Sequence, residues 1–157
     1  MHFVVDCMLG KLARWLRLSG YNVIYAKLTD EEILEISEKE KRIILTRDKV
    51  LHAKACKYGV KSVYLHSEEL ISQLKQLIEE LGIEIYDTPE HSLCPICGGE
   101  ISEISKEEAK NKVPNKILQK IPKLYACKKC GKIYWEGTHW NKIREMVKCI
   151  KSRQTKK

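Results

Sequence analysis

Apolar positions in the first half of the chain alternate between short continuous blocks and longer stripes at helical spacing. Phe3-Val4-Val5, Val23-Ile24-Tyr25, Ile43-Ile44-Leu45 and Val63-Tyr64-Leu65 are the blocks. Short runs of this kind, rich in β-branched residues, read as strands of a parallel sheet buried on both faces. Between them the pattern changes. Leu9, Leu12, Ala13 and Leu16 recur at helical intervals, and Gly20 closes that segment as a C′ glycine. Thr29, with Glu32 three residues on, forms a capping box that opens the next helix. A third helix is predicted over residues 49–58, ending at Gly59. The fourth carries a full stripe of Leu70, Ile71, Leu74, Leu77, Ile78 and Leu81, with Ser67 as N-cap and Gly82 as stop. Ile83 and Ile85 suggest one more short strand. Four strand–helix repeats predict a doubly wound α/β domain.

The pattern breaks near Asp87-Thr88-Pro89, which places a domain boundary between an α/β domain at 1–88 and a smaller module at 89–157. The module is built on two knuckles, Cys94-Pro95-Ile96-Cys97-Gly98-Gly99 and Cys127-Lys128-Lys129-Cys130-Gly131. Two close Cys-x-x-Cys pairs supply four thiolates, the set for a closed tetrahedral zinc site of structural type. Iron is the other metal such a set can hold, and a redox role for either pair is the weaker option. Glycine after each pair lets the backbone turn its amides toward the sulfurs. Tyr134, Trp135, His139 and Trp140 follow among lysines. They can stack bases or pack the ribbon onto the α/β domain, and His139 can be a site residue or an anchor. A C-terminal helix is expected, then a fraying basic tail from Lys151 to Lys157. Cys7, Cys56 and Cys149 stand alone and read as small buried or neutral thiols.

Charge divides the chain unevenly. Residues 1–90 carry a balance of −2 and residues 91–157 a balance of +10. A basic module beside a mildly acidic domain points to a polyanionic partner held by the second half. A lysine- and glutamate-rich composition of thermophile type is the plainer source of that charge. The hydrophobic fraction of 43% is enough for a core. No stretch approaches the ~18 apolar residues of a membrane span. No signal-peptide pattern opens the chain, so a cytoplasmic location is expected and no membrane partner.

The chemistry is concentrated in acids. Asp6 ends the first apolar block, Asp48 follows the third through Thr46 and Arg47, and Asp30 opens the helix after the second. Open α/β sheets bind ligands at the carboxyl ends of their strands. Three carboxylates delivered there are expected within reach of one Mg²⁺ or Mn²⁺ ion, which activates water for attack on a phosphodiester. Asp30 and Asp48 also suit helix starts, where the macrodipole favours acids, whereas no turn signal requires Asp6. The residues alone leave nuclease, phosphotransferase and receiver-type phospho-acceptor open. Cys7, rather than a second acid, follows Asp6, which counts against the receiver. No glycine-rich phosphate loop is present. Lys11, Arg14 and Arg17 step by three along the first helix, as phosphate contacts or as a solvated helix face. Arg47 can clamp a phosphate or pair with a carboxylate, and these four with Trp140 are the candidate RNA contacts.

At these residues the chain resembles a known family. Asp6 with Met8-Leu9-Gly10-Lys11-Leu12-Ala13-Arg14-Trp15-Leu16-Arg17, then Gly20-Tyr21 and Leu45-Thr46-Arg47-Asp48, is similar to the Mut-seven-type C-terminal RNase domain. Two cysteine pairs ending in Tyr134-Trp135, Gly137 and His139-Trp140 fit it as well. That family belongs to the PIN (PilT N-terminus) nuclease superfamily with a zinc ribbon appended. The resemblance implies a PIN-like parallel sheet flanked by helices, an acidic Mg²⁺/Mn²⁺ site on Asp6, Asp30 and Asp48, and RNA hydrolysis. It also implies a further acid near the end of the fourth strand. That region reads His66-Ser67-Glu68-Glu69, so Glu68 and Glu69 are the candidates, though both suit a helix N-terminus. The competing class is a non-catalytic RNA- or ribosome-binding protein with a degenerate acidic site. A phosphatase on small substrates is a third, and self-association is left open.

Overall fold

The computed structural model describes residues 1–154; residues 155–157 and the side chains of 138, 139, 153 and 154 lie outside the described residues. The two readings of His139 and the end of the basic tail fall there. Four parallel strands, β1 (His2–Val5), β2 (Asn22–Tyr25), β3 (Ile43–Thr46) and β4 (Ser62–Tyr64), form a sheet in the order β2-β1-β3-β4. In register, Phe3 sits beside Val23 and Ile43, and Leu45 beside Val63. The four helices between and after the strands are α1 (Gly10–Leu18), α2 (Asp30–Glu40), α3 (Lys49–Lys57) and α4 (Leu70–Leu81).

Both faces of the sheet are covered, which is why the strands read as unbroken apolar runs. Phe3, Val5, Ile43 and Leu45 pack beneath α1 and α4. Val4 and Ile44 point the other way, against Ile33 of α2 and Leu51 and Ala55 of α3. The chain therefore leaves β1 by one face and β3 by the other. It also leaves in opposite directions along the sheet, toward β2 and toward β4. The crevice of this switch lies between the carboxyl ends of β1 and β3.

Beyond α4 the expected short strand at Ile83 and Ile85 does not form. Both side chains are buried in the main core from an extended segment without ladder partners. Ser67 is also not the cap of α4; that position is Glu69, and the Ser67 hydroxyl accepts the Glu69 amide one turn earlier. A single turn of 3-10 helix at Pro89–His91 leads to the second unit. This is an antiparallel sheet of β5 (Ile101–Ile104), β6 (Leu124–Cys127) and β7 (Ile133–Trp135). Two short helices, α5 (Lys106–Ala109) and α6 (Asn115–Lys120), lie between β5 and β6. They close a small core of Ala109, Val113 and Leu124. Trp135 packs there, within the ribbon, rather than against the α/β domain.

The last helix, α7 (Thr138–Gln154), belongs by packing to the first unit. Trp140, Ile143, Val147 and Ile150 step by three and four along it and enter the core beneath α1 and α4. A boundary at 88/89 thus separates the chain in sequence, but its final helix returns to the α/β core. Residues 151–154, read as part of a fraying tail, continue that helix. Trp140, read either as a base-stacking residue or as packing onto the α/β domain, is 5% exposed and serves this core.

Gly20 marks how tightly the units meet. Its φ is +88°, and a Cβ there would stand 2.3 Å from the His91 carbonyl oxygen. Ser92 donates to the Leu18 carbonyl at 2.7 Å, and the Leu93 amide donates to that of Arg17 at 2.8 Å. Gly20→Ala is expected to lower stability by about 2 kcal/mol or more, because backbone atoms cannot yield as a flexible side chain would. A urea titration checks this; a midpoint equal to the parent's would show that the contact is slack.

Candidate active site and metal centre

Asp6 extends β1 by one backbone bond, its amide donating to the Leu45 carbonyl at 3.0 Å. Its side chain is half-buried at the crevice. The Thr46 hydroxyl, fully buried at the end of β3, donates to Asp6 Oδ2 at 2.9 Å. The same hydroxyl accepts the Asp48 amide at 2.9 Å. Asp48 is the N-cap of α3, its Oδ1 accepting the amides of Val50 and Leu51. Thr46 therefore fixes the two aspartates relative to each other. Each carboxylate spends one oxygen on the protein, and among the described residues Asp6 Oδ1 and Asp48 Oδ2 carry no hydrogen bond. In the sequence Thr46 stands out only within Leu45-Thr46-Arg47-Asp48; a hydroxyl closing an apolar strand is the signal it offers.

Asp30 is not part of this pair. It lies in the first turn of α2, capped by Thr29, and pairs with Lys54 of α3 at 3.4 Å. Among the described residues, the one group of three or more acids, cysteines or histidines close enough to share an ion is the four-cysteine set. The three aspartates do not converge as expected, because α2 starts at the edge strand and Asp30 is drawn to the lysine. Arg47 is likewise engaged. It donates to the Leu65 carbonyl at 2.8 Å and pairs with Glu68 at 3.8 Å, tying the ends of β3 and β4 together. Of its two readings, phosphate clamp and carboxylate partner, the second is the one seen here.

Beside the aspartates opens a cleft of about 1250 Å³. The loop Cys7–Gly10 and the exposed Lys11 and Arg14 form one wall, Glu68 and Glu69 a second, and Pro95, Ile96 and Lys132 of the ribbon a third. Asp6 and Asp48 are not among its lining residues, though Cys7, next to Asp6, is. Tyr25 braces the loop by donating to the Cys7 carbonyl at 2.7 Å. Cys7 and Cys56 are exposed and Cys149 half-buried, so of the two readings, buried or neutral, burial does not hold for them.

Arg17 departs from its two helix neighbours. A step of three residues turns a helix side chain back by about 60°, so two steps from Lys11 displace it by about 120°. That carries Arg17 from the cleft wall into the protein, where it is 6% exposed. Its guanidinium donates to Val23 O at 2.9 Å and to Pro95 O and Ile96 O at 3.3 and 3.2 Å. Burial pushes the group below its ordinary pKa, and the neighbouring Cys97 and Cys94 thiolates push it back up. It is a dock for the first knuckle, not an RNA contact. Arg17→Met is expected to cost about 2–3 kcal/mol and to speed zinc loss to a chromogenic chelator. Arg17→Lys should recover only part, since an ammonium cannot span the same carbonyls. Unchanged stability and zinc release in Arg17→Met would remove the dock.

Cys94, Cys97, Cys127 and Cys130 bring their sulfurs within 4.8 Å of one another. Cys94 and Cys130 are 3.7 Å apart and Cys97 and Cys127 3.4 Å, near the ~3.8 Å edge of a tetrahedron with Zn–S bonds of about 2.3 Å. Gly98 and Gly131 both have φ of +78°, the turn expected after each pair. The Gly99 amide faces Cys97 Sγ, and those of Lys129 and Cys130 face Cys127 Sγ, each at 3.4 Å. Burial opposes ionisation of Cys94, but the Tyr134 hydroxyl at 2.9 Å and two backbone amides outweigh it and hold the thiol down to about 6. Burial and the Cys94 thiolate together push Tyr134 well up, so the phenol stays a donor. At Cys130 the Lys132 amide favours the thiolate, yet desolvation and the three neighbouring sulfurs raise it to about 11. Burial also opposes ionisation of Cys127, but the Cys130 and Lys129 amides hold it below its ordinary value. Some thiolates thus form easily and the last resists, as four sulfurs at one point do without a cation; a divalent cation relieves it. The donor set fits zinc.

Among the described residues no helix is long and apolar enough to cross a membrane. The family model described as Mut7-C RNAse domain matches residues 1–147. No curated protein and no solved structure matches the chain.

Proposed function

The chain belongs to the Mut7-C RNAse domain family, and from that premise we propose that it is a metal-dependent ribonuclease cutting at the carboxyl edge of β1 and β3. One observation carries the reading. Asp6 and Asp48, locked together by Thr46 at the topological switch point, each keep an oxygen that nothing among the described residues uses. Hard oxygen donors of this kind suit Mg²⁺ or Mn²⁺, which holds few protein ligands and several waters. The bound ion supplies an activated water and stabilises the leaving oxygen of the phosphodiester. Asp6 and Asp48 hold and orient that ion, and Thr46 keeps Asp6 aimed. Lys11 and Arg14, exposed along the adjoining cleft, take backbone phosphates. Glu68 and Glu69 face them from the second wall and are the candidates for a further acid. The ribbon supplies the third wall and helps hold RNA, with its zinc as a structural element. Four cysteines gathered as a metal set suit the reducing cytoplasm as the place of action.

Cleavage of labelled RNA by the full chain, with Mn²⁺ or Mg²⁺ and without, tests the assignment. Cutting that requires the ion and disappears in Asp6→Asn and Asp48→Asn is the expected result. The isolation of Asp30 favours a second reading, an RNA- or ribosome-binding protein with an incomplete acidic edge. No cutting by the parent under any ion, with RNA still bound, selects it.

A further inference from the structure

The 29 residues between the two cysteine pairs are far more than a ribbon turn needs. β5 leads out from the first knuckle to Ile104, and β6 returns from Leu124 to the second. The insert between them, with α5 and α6, therefore sits at the end of this hairpin opposite the metal. Ala109 and Val113 are buried and Ile117, Leu118 and Ile121 partly so, all turned inward onto Leu124. What faces out is lysine. From Lys106 to Lys132 stand nine lysines, two glutamates and no arginine, and all nine lysines are exposed. Among the described residues none of the six from Lys106 to Lys123 forms an ion pair.

Such a surface works against folding. Lys116 and Lys120 stand four apart in α6, where like charges repel, and Lys106, Lys110, Lys112 and Lys123 stand in α5 and the turns around the two helices. A need for solubility does not explain it, because the α/β domain meets that need with balanced charge. We propose that this insert is a second binding surface, one that holds the phosphate backbone of RNA without reading its bases. The proposal rests on RNA being the substrate. Lysine offers compact point charges rather than the planar fork of arginine that reads base edges and stacks. The segment's one aromatic residue, Tyr125, is 9% exposed, so no stacking platform is presented. An anionic membrane is the poorer partner. Surface-lying membrane helices expose large apolar side chains, and none of the large exposed ones lies between residues 100 and 135.

The test is RNA binding by the full chain as a function of KCl, without added Mg²⁺ or Mn²⁺, on two labelled RNAs of equal length and unrelated sequence. The variant combines Lys112→Gln, Lys116→Gln and Lys120→Gln. A control of equal net charge combines Lys39→Gln, Lys57→Gln and Lys61→Gln on the α/β domain. With one phosphate per lysine, the log–log salt slope of the insert variant flattens by about 2 and affinity falls roughly tenfold on both RNAs. The control keeps the parent's slope, and melting confirms that both variants fold. Equal flattening in the control would reduce the effect to net charge and overturn the proposal. So would an unchanged slope in the insert variant, or parent protein that binds phosphatidylserine vesicles but not RNA. A parent that never cuts RNA but loses slope on substitution would leave this surface standing and defeat the nuclease reading alone. Metal-dependent cutting with an unchanged slope would do the reverse.

Discussion

Asp6→Asn is expected to abolish the proposed metal-dependent RNA cleavage, by about 10³-fold or more, with RNA affinity within about twofold of the parent. The asymmetry follows from what each oxygen does. Oδ2 accepts from Thr46, and an amide oxygen at that position still can. Oδ1 carries no bond among the described residues, so replacing the carboxylate removes charge and a hard donor from the edge where the ion is proposed. Nothing that binds backbone phosphates is touched, because Lys11 and Arg14 lie along the cleft and not on the aspartates. Asp30→Asn makes the informative comparison. Asp30 is paired with Lys54, so its loss is expected to lower activity by less than tenfold and to cost a fraction of a kcal/mol at this partly exposed pair. Quantitative cleavage rates and binding by fluorescence anisotropy separate the cases. Full activity in Asp6→Asn would sink the nuclease assignment. Equal losses in Asp6→Asn and Asp30→Asn would mean that the two share an ion after all.

Much of this arrangement was legible in the chain, for reasons that can be named. Phe3-Val4-Val5 and Ile43-Ile44-Leu45 are buried on both faces, so their pattern carries no alternation, and that lack is itself the signal of a parallel central strand. The cysteine knuckles announce themselves by spacing, since four thiolates and two following glycines have few other uses. What resisted reading was direction and partnership. Lys11, Arg14 and Arg17 look alike in sequence, but accumulated rotation sends only the third inside. Arg47 and Asp30 read as site residues until Glu68 and Lys54, distant in sequence, are seen to engage them. Trp140 was ambiguous by composition alone, yet it is the first of four apolar positions at helical spacing in α7. That stripe, followed to Ile150, would have shown a helix packed into a core. The gap at the acidic edge has the same origin, because strand order decides which strand ends are neighbours, and local pattern does not encode strand order.

Removing the metal from the four-cysteine site, or making Cys127→Ser, is expected to unfold β5, β6 and β7 while the α/β sheet survives. The energetics are lopsided. Apart from the metal, the ribbon rests on a small core of Ala109, Val113 and Leu124 with only partly buried side chains, Trp135 and Ile117 among them, around it. Fully burying a side chain of valine or leucine size contributes about 2 kcal/mol. Zinc in small structural modules contributes on the order of 10 kcal/mol at neutral pH. The ribbon cannot replace that from packing, and its thiolates, without a cation, repel each other. The sheet of β1 to β4 has its own two-sided core, and α7 is held to it by Trp140, Ile143, Val147 and Ile150 independently of the metal. Amide exchange is the discriminating measurement. After chelation, amides of 101–104 and 124–127 should lose protection and those of 43–46 should keep it. Because Pro95, Ile96 and Lys132 form one wall of the cleft, RNA affinity should fall with ribbon protection even though Asp6 and Asp48 are untouched. Ribbon amides that stay protected in the metal-free protein would show that Arg17 and the small core suffice. A sheet that unfolds together with the ribbon would mean that the two units fold as one.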